Sequence, residues 1–112
     1  MHTPTRQDLL DFTLHVTTLL RPIVATLARK DRALCDQVKR AMDSASLNVA
    51  EGFGSKGGKQ RLLFETARGS AREAQHGLRI AVAWGHVTEA QAAAAIEALG
   101  RLAARVHGLL GR

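Results

Sequence analysis

Apolar residues recur in steps of three and four along four stretches of the chain, and none of these stretches alternates as a half-buried strand would. In the first, Leu9, Phe12, Val16, Leu19, Ile23 and Leu27 fall on one face of a helix. Pro22 interrupts this run, removing a backbone donor and crowding the preceding turn at a cost of ~3 kcal/mol in a regular helix. The apolar period continues past it, so a kink is expected rather than a break. The second stretch opens at Asp31, an N-cap candidate, and offers Leu34, Val38, Ala41, Met42, Ala45 and Val49 to a core. Its outer face spaces Asp36 from Arg40, and Lys39 from Asp43, as ion pairs one turn apart. This helix is expected to end at Gly52, where Gly52 to Gly58 form the one marked linker, with glycines supplying positive φ.

A third helix is expected from about Lys59 to Trp84, closed by Gly85, with Trp84 plugging the end of the core. The fourth begins with a capping box, Thr88 and Gln91, and runs to about Leu110. Ile96, Leu99, Leu102 or Ala103, Val106, and Leu109 or Leu110 are its core positions. Its run of alanines favours helix and allows a neighbour to approach closely. Four helices joined by short connections make sequence neighbours antiparallel. The expected fold is all-α, an up-down-up-down four-helix bundle, with residues 1–112 forming a single domain.

Composition narrows the classes. At 112 residues and 12.1 kDa the chain can bury one modest core, and aromatics are only 4% with no Tyr. The single cysteine, Cys35, excludes an intrachain disulfide and any multi-cysteine zinc site, and reads as a small buried side chain in a reducing compartment. No apolar run approaches the ~18 residues of a membrane span. Met1 to Asp8 lack the features of a secretory signal, so a soluble, cytoplasmic protein without membrane association is expected.

Little in the sequence supports catalysis. Gly52-x-Gly54-x-x-Gly57 has the spacing of a dinucleotide fingerprint, but a helix precedes it where that motif needs a strand. Glu73-x-x-His76 is half of a di-iron bundle motif, yet it has no second copy and the first helix contains no Glu. His2, His15, His86 and His107 show no ligand spacing, and Ser44, Ser46 and Ser70 lack evident partners for a nucleophile. No enzyme activity, metal or cofactor is expected. The charge distribution is more informative. The net charge is +6, and residues 55–85 carry six Lys and Arg against two Glu. At about 100° per residue, Arg61, Arg68, Arg72 and Arg79 fall within about 20° of one line that runs about 27 Å along the third helix. Leu63, Ala67, Ser70, Ala74, Gly77 and Ala81 lie on the far side, so the stripe is expected to point away from the core. A row of guanidinium groups suits phosphate backbones, with Lys56 and Lys59 assisting. With so few aromatics, binding would follow the backbone and not the base sequence.

Residues 34 to 54 carry Leu34-x-x-Gln37-x-x-Arg40-Ala41, then Ser44-x-x-x-Asn48-Val49-Ala50-Glu51-Gly52. A second block follows at Phe64, Ala67, Gly69, Ser70 and Glu73. The two ordered motifs, which together reach from residue 34 to residue 73, resemble the four-helix-bundle family encoded in intervening sequences of bacterial 23S ribosomal RNA genes. The accessory variability determinant of diversity-generating retroelements is related to that family. The resemblance implies a four-helix protomer assembled as a homopentamer. For the retroelement members it also implies nucleic-acid binding and a reverse transcriptase partner. It carries over no catalytic residue. Asn48 and Glu51 are expected to tie the end of the second helix to a neighbour, and Gly69 and Ser70 to let helices pack closely. The chain departs from the pattern at Lys59 to Leu63, where relatives more often have acidic and aromatic residues.

Together these readings predict a non-enzymatic, homo-oligomeric bundle that binds RNA or DNA through Arg61, Arg68, Arg72, Arg79, Lys56 and Lys59. The alternative is a scaffold whose basic face docks an acidic protein, such as a reverse transcriptase, with no direct role on nucleic acid.

Overall fold

The computed structural model describes residues 6–110; His2 and most of the segment inspected for a signal lie outside them. The described residues form four helices and no strand: α1 (Arg6–Lys30), α2 (Arg32–Phe53), α3 (Gly57–Ala83) and α4 (Glu89–Leu110). Pro22 stands on the exposed side of α1, where water can satisfy the carbonyl it deprives of a donor, and the helix runs through it unbroken. Asp31 caps α2 as expected, its carboxylate accepting from Leu34 N–H at 3.1 Å. The capping box before α4 is reciprocal: Thr88 N–H donates to Gln91 Oε1 at 2.9 Å, and Gln91 N–H to Thr88 Oγ1 at 3.1 Å. Gly85, at φ 77°, ends α3 in a Schellman turn in which His86 N–H reaches Ala81 O at 2.9 Å.

Cross-helix contacts fix the topology. Thr13 meets Ser46 and Cys35 Sγ donates to Val24 O, so α1 and α2 run antiparallel. Gln37 donates to Glu73 and Ser44 pairs with Ser70, which does the same for α2 and α3. Gln75 donates to Ile96 O and Arg61 to Leu110 O across α3 and α4. The bundle is therefore up-down-up-down, with α3 packed most extensively on α2 and α4, and α1 closing the square less tightly. Two corners meet at one end, where His86 Nε2 lies 3.1 Å from Asp31 Oδ2 and Lys30 Nζ donates to His86 O at 3.2 Å. The Leu34 N–H bond chiefly holds the Asp31 carboxyl below its ordinary value; partial burial opposes this, and the hydrogen bond and charge of His86 add to it.

The core is built from aliphatic side chains and many alanines, with Phe64 the one buried aromatic among the described residues. Cys35 is buried as expected. Thr13 is the one buried polar residue among those described; its hydroxyl donates to Leu10 O at 2.6 Å, which leaves Ser46 to donate to it. The expected core positions shift slightly: Leu20 is buried where Leu19 was expected, and Phe12, Leu34, Ile96, Leu109 and Leu110 are half-buried.

Several local expectations are corrected. The linker shrinks to Gly54, Ser55 and Lys56, because α2 continues to Phe53 and α3 starts at Gly57. Gly52 is helical and buried, and only Gly57 in this region has positive φ, at 58°. Gly52 serves close approach instead: a Cβ there would fall 2.5 Å from the Phe64 ring. Trp84 is 72% exposed, and Val87, beyond the Schellman turn, fills the end of the core in its place. Gly69 is exposed with nothing near its Cβ position, whereas Gly77 is the tight one, 2.7 Å from Val38 Cγ2 by the same measure. Asp36 pairs with Arg32 at 3.7 Å, one turn earlier than Arg40, and no Lys39–Asp43 pair forms among the described residues.

Candidate nucleic-acid interface

α3 packs on two neighbours, and this sets the bearing of its arginines. Ser70 and Gly77 face α2, while Arg61, Arg68 and Gln75 reach α4. The buried side lies between those two directions, at Phe64, Ala67, Ala71, Ala74, Leu78 and Ala81. The stripe therefore does not stand opposite the core, as the pattern alone predicts. It flanks the α3–α4 seam, because the core of a helix held on two sides lies to one side of the stripe and not behind it.

The four arginines then differ in what surrounds them. Arg61 is committed at both ends: its Nη1 donates to Leu110 O at 3.1 Å, and its Nε lies 3.4 Å from Glu65 Oε1. It covers a carbonyl at the C-terminal end of α4, where the helix dipole favours a cation. Arg68 is half-buried, with Nη1 2.6 Å from His107 Nδ1. A guanidinium has only donors, so Nδ1 accepts and the ring proton resides on Nε2 in this arrangement. Arg72 is exposed and shares with Arg68 and His107 a cleft of about 650 Å³ floored by Gly69, Gly100 and Ala104. Arg79, also exposed, borders a separate hollow of about 510 Å³ that includes Glu89. Lys56 and Lys59 are exposed beside the α2–α3 turn, where Gln60 Nε2 braces the chain by donating to Gly52 O and Ser55 O, each at 3.0 Å.

Sequence reasoning missed His107, whose partner is 39 residues away. It also missed a second cationic feature on α4: Arg101 and Arg105 lie over the Phe12 ring, 5.4 and 4.9 Å from its centroid. Their four-residue spacing on one face of α4 is the signal that could have found them. Of the residues set aside as candidates for chemistry, Glu73 accepts from Gln37 at 3.3 Å and His76 is exposed. Among the described residues, no three His, Cys, Asp or Glu side chains gather as metal ligands would. No helix among them is long and apolar enough to cross a membrane.

The profile of the 23S rRNA-intervening sequence proteins matches residues 7–108, nearly the whole chain. The chain belongs to that family. Comparison with curated proteins and with solved structures gives no match. The two motif blocks that point to the family meet across the α2–α3 seam. Gly52 packs against Phe64, Ser44 pairs with Ser70 at 2.8 Å, and Gln37 bonds Glu73. In this family member Asn48 supports the seam from within α2, donating to Ser44 O at 2.8 Å and to Ser44 Oγ at 3.1 Å. The Glu51 side chain is exposed, and its backbone carbonyl holds the turn, accepting from Gly54 N–H and Ser55 Oγ at 3.0 Å each.

Proposed function

We propose that this member of the family is a non-enzymatic, homo-oligomeric bundle that binds nucleic acid through phosphate contacts along the α3 strip, with little sequence preference. The observation that carries this reading is the cleft shared by Arg68, Arg72 and His107, because no acidic side chain lines it. The basic excess of residues 55–85 supports it in turn. Arg61 contributes less than its position suggests, being tied to Glu65 and to the end of α4. Lys56 and Lys59 extend the positive surface around the turn.

A homopentamer acting in the cytoplasm is the assembly we propose. In its favour, Leu14, Leu47, Leu62 and Trp84 are each at least 60% exposed on the protomer, apolar side chains that contacts between copies would cover. A ring would repeat a weak strip and let one strand engage several copies. Light scattering on the purified protein tests the subunit number, and a monomer would refute it.

The strip itself is tested by reversing Arg68 and Arg72 together to Glu. The double variant should keep its helical spectrum and lose mobility-shift binding to unrelated RNA and DNA sequences alike. Binding equal to wild type would remove the strip from consideration. Nuclease-insensitive capture of a protein partner, with no shift of free nucleic acid, would favour a docking scaffold instead.

A further inference from the structure

The cleft between α3 and α4 differs from the rest of the strip. Arg61 faces Glu65, and Arg79 shares its hollow with Glu89, but the lining that holds Arg68, Arg72 and His107 includes no carboxylate. Two guanidinium groups from α3 and an imidazole from α4 thus line one space that includes no carboxylate. We propose that this cleft is a site for the terminal phosphate of a nucleic-acid strand, held by Arg68 and Arg72 with His107 as third partner. The inference rests on the reading of α3 as a nucleic-acid strip, and adds which phosphate the strip holds at its centre.

Charge and occupancy both point to a terminal group. An internal phosphodiester carries one negative charge and is tethered on both sides, which suits a contact lying along an open surface. A phosphomonoester carries about −1.5 to −2 at neutral pH and offers three strong acceptor oxygens on a free end. Two guanidinium groups match that charge, and a space of about 650 Å³ admits the phosphate together with the nucleotide bearing it. The floor is Gly69, Gly100 and Ala104; nothing lies within 4 Å of a Cβ at Gly69, so the cleft is open there, between Arg68 and Arg72.

Arg68 already shows what the cleft lacks. Its Nη1 is bonded at 2.6 Å to a neutral imidazole nitrogen, the acceptor at hand on α4. A phosphate oxygen is a charged acceptor and makes a stronger bond with a guanidinium. It would displace the His107 imidazole from Arg68 and leave that ring beside the same phosphate. Only α3 and α4 line this cleft, and Arg68 and Arg72 are the charged groups facing the ring there.

The test uses one short single-stranded oligonucleotide with a 5′-phosphate, with a 3′-phosphate, or with hydroxyls at both ends, titrated by fluorescence anisotropy at fixed salt and neutral pH. At least one phosphorylated form should bind about tenfold more tightly than the hydroxyl form, as one added charge-assisted contact would give. His107→Leu, at an exposed position, should erase that difference. Ala104→Glu, which places a carboxylate in the cleft, should erase it too. Equal binding of all three forms by wild type overturns the terminal-phosphate site and leaves the strip standing. A difference that survives both substitutions also overturns it. If no form binds, the strip and the site fall together.

Discussion

Gly77 and Gly69 lie two turns apart on α3 and predict opposite outcomes for the same substitution. A Cβ at Gly77 would fall 2.7 Å from Val38 Cγ2, whose β-branched side chain cannot swing aside, whereas at Gly69 it meets nothing within 4 Å. Gly77→Ala should therefore lower stability by about 1 kcal/mol, because overpacking outweighs the gain in helix propensity. Adding Val38→Ala should recover part of that loss. Gly69→Ala should raise stability by about 0.5–1 kcal/mol, since only the propensity gain remains. Urea unfolding of the three variants checks both signs. Neither role was legible beforehand: two glycines inside one helix look alike until it is known that one faces Val38 and the other open space. Trp84 misled for a related reason. Its place at the end of a helix suggested a plug, but the Schellman turn carries the chain on to Val87, which fills that position. Cys35, with apolar residues on its own helix face, was readable.

At the scale of the elements, what was local was legible. Asp31 and the Thr88–Gln91 box act within three residues of chain, so their side chains announce the helix starts directly. Thr88→Ala should cost about 1 kcal/mol of stability, read as a lower urea midpoint. Asp31 allows a test by pH. Its folded-state pKa is depressed, so its contribution is complete above the ordinary value of 3.8 and disappears as pH falls through the lowered folded value. Asp31→Asn keeps a cap acceptor but cannot ionise. Wild type should melt above this variant near neutral pH, and the two should converge as the solution is acidified below that range. The arginine stripe was legible as a line on α3, because its spacing is a property of one helix. Its relation to α4 was not, because that depends on how far the buried face turns between two neighbours. His107 and the Leu110 carbonyl stayed hidden for that reason.

For the whole molecule, fold and charge could be read with different reach. Four amphipathic stretches with short connections leave few architectures other than the bundle observed. Net charge leads only to an expectation of an anionic ligand, which the salt response of binding tests. If each protomer neutralises about four phosphates, affinity for duplex DNA should fall roughly a hundredfold between 50 mM and 200 mM salt. Anisotropy titrations across that range measure it, and a flat response would rule out phosphate contacts as the basis of binding. The short turn at Gly54 to Lys56 has a different consequence. It joins two helical hairpins whose mutual surface already includes the Gly52–Phe64 contact and the Ser44–Ser70 and Gln37–Glu73 bonds. The peptide link there supplies proximity and little else, so a chain nicked at Ser55 should remain one folded particle, and its halves, expressed as separate polypeptides, should find each other and reassemble.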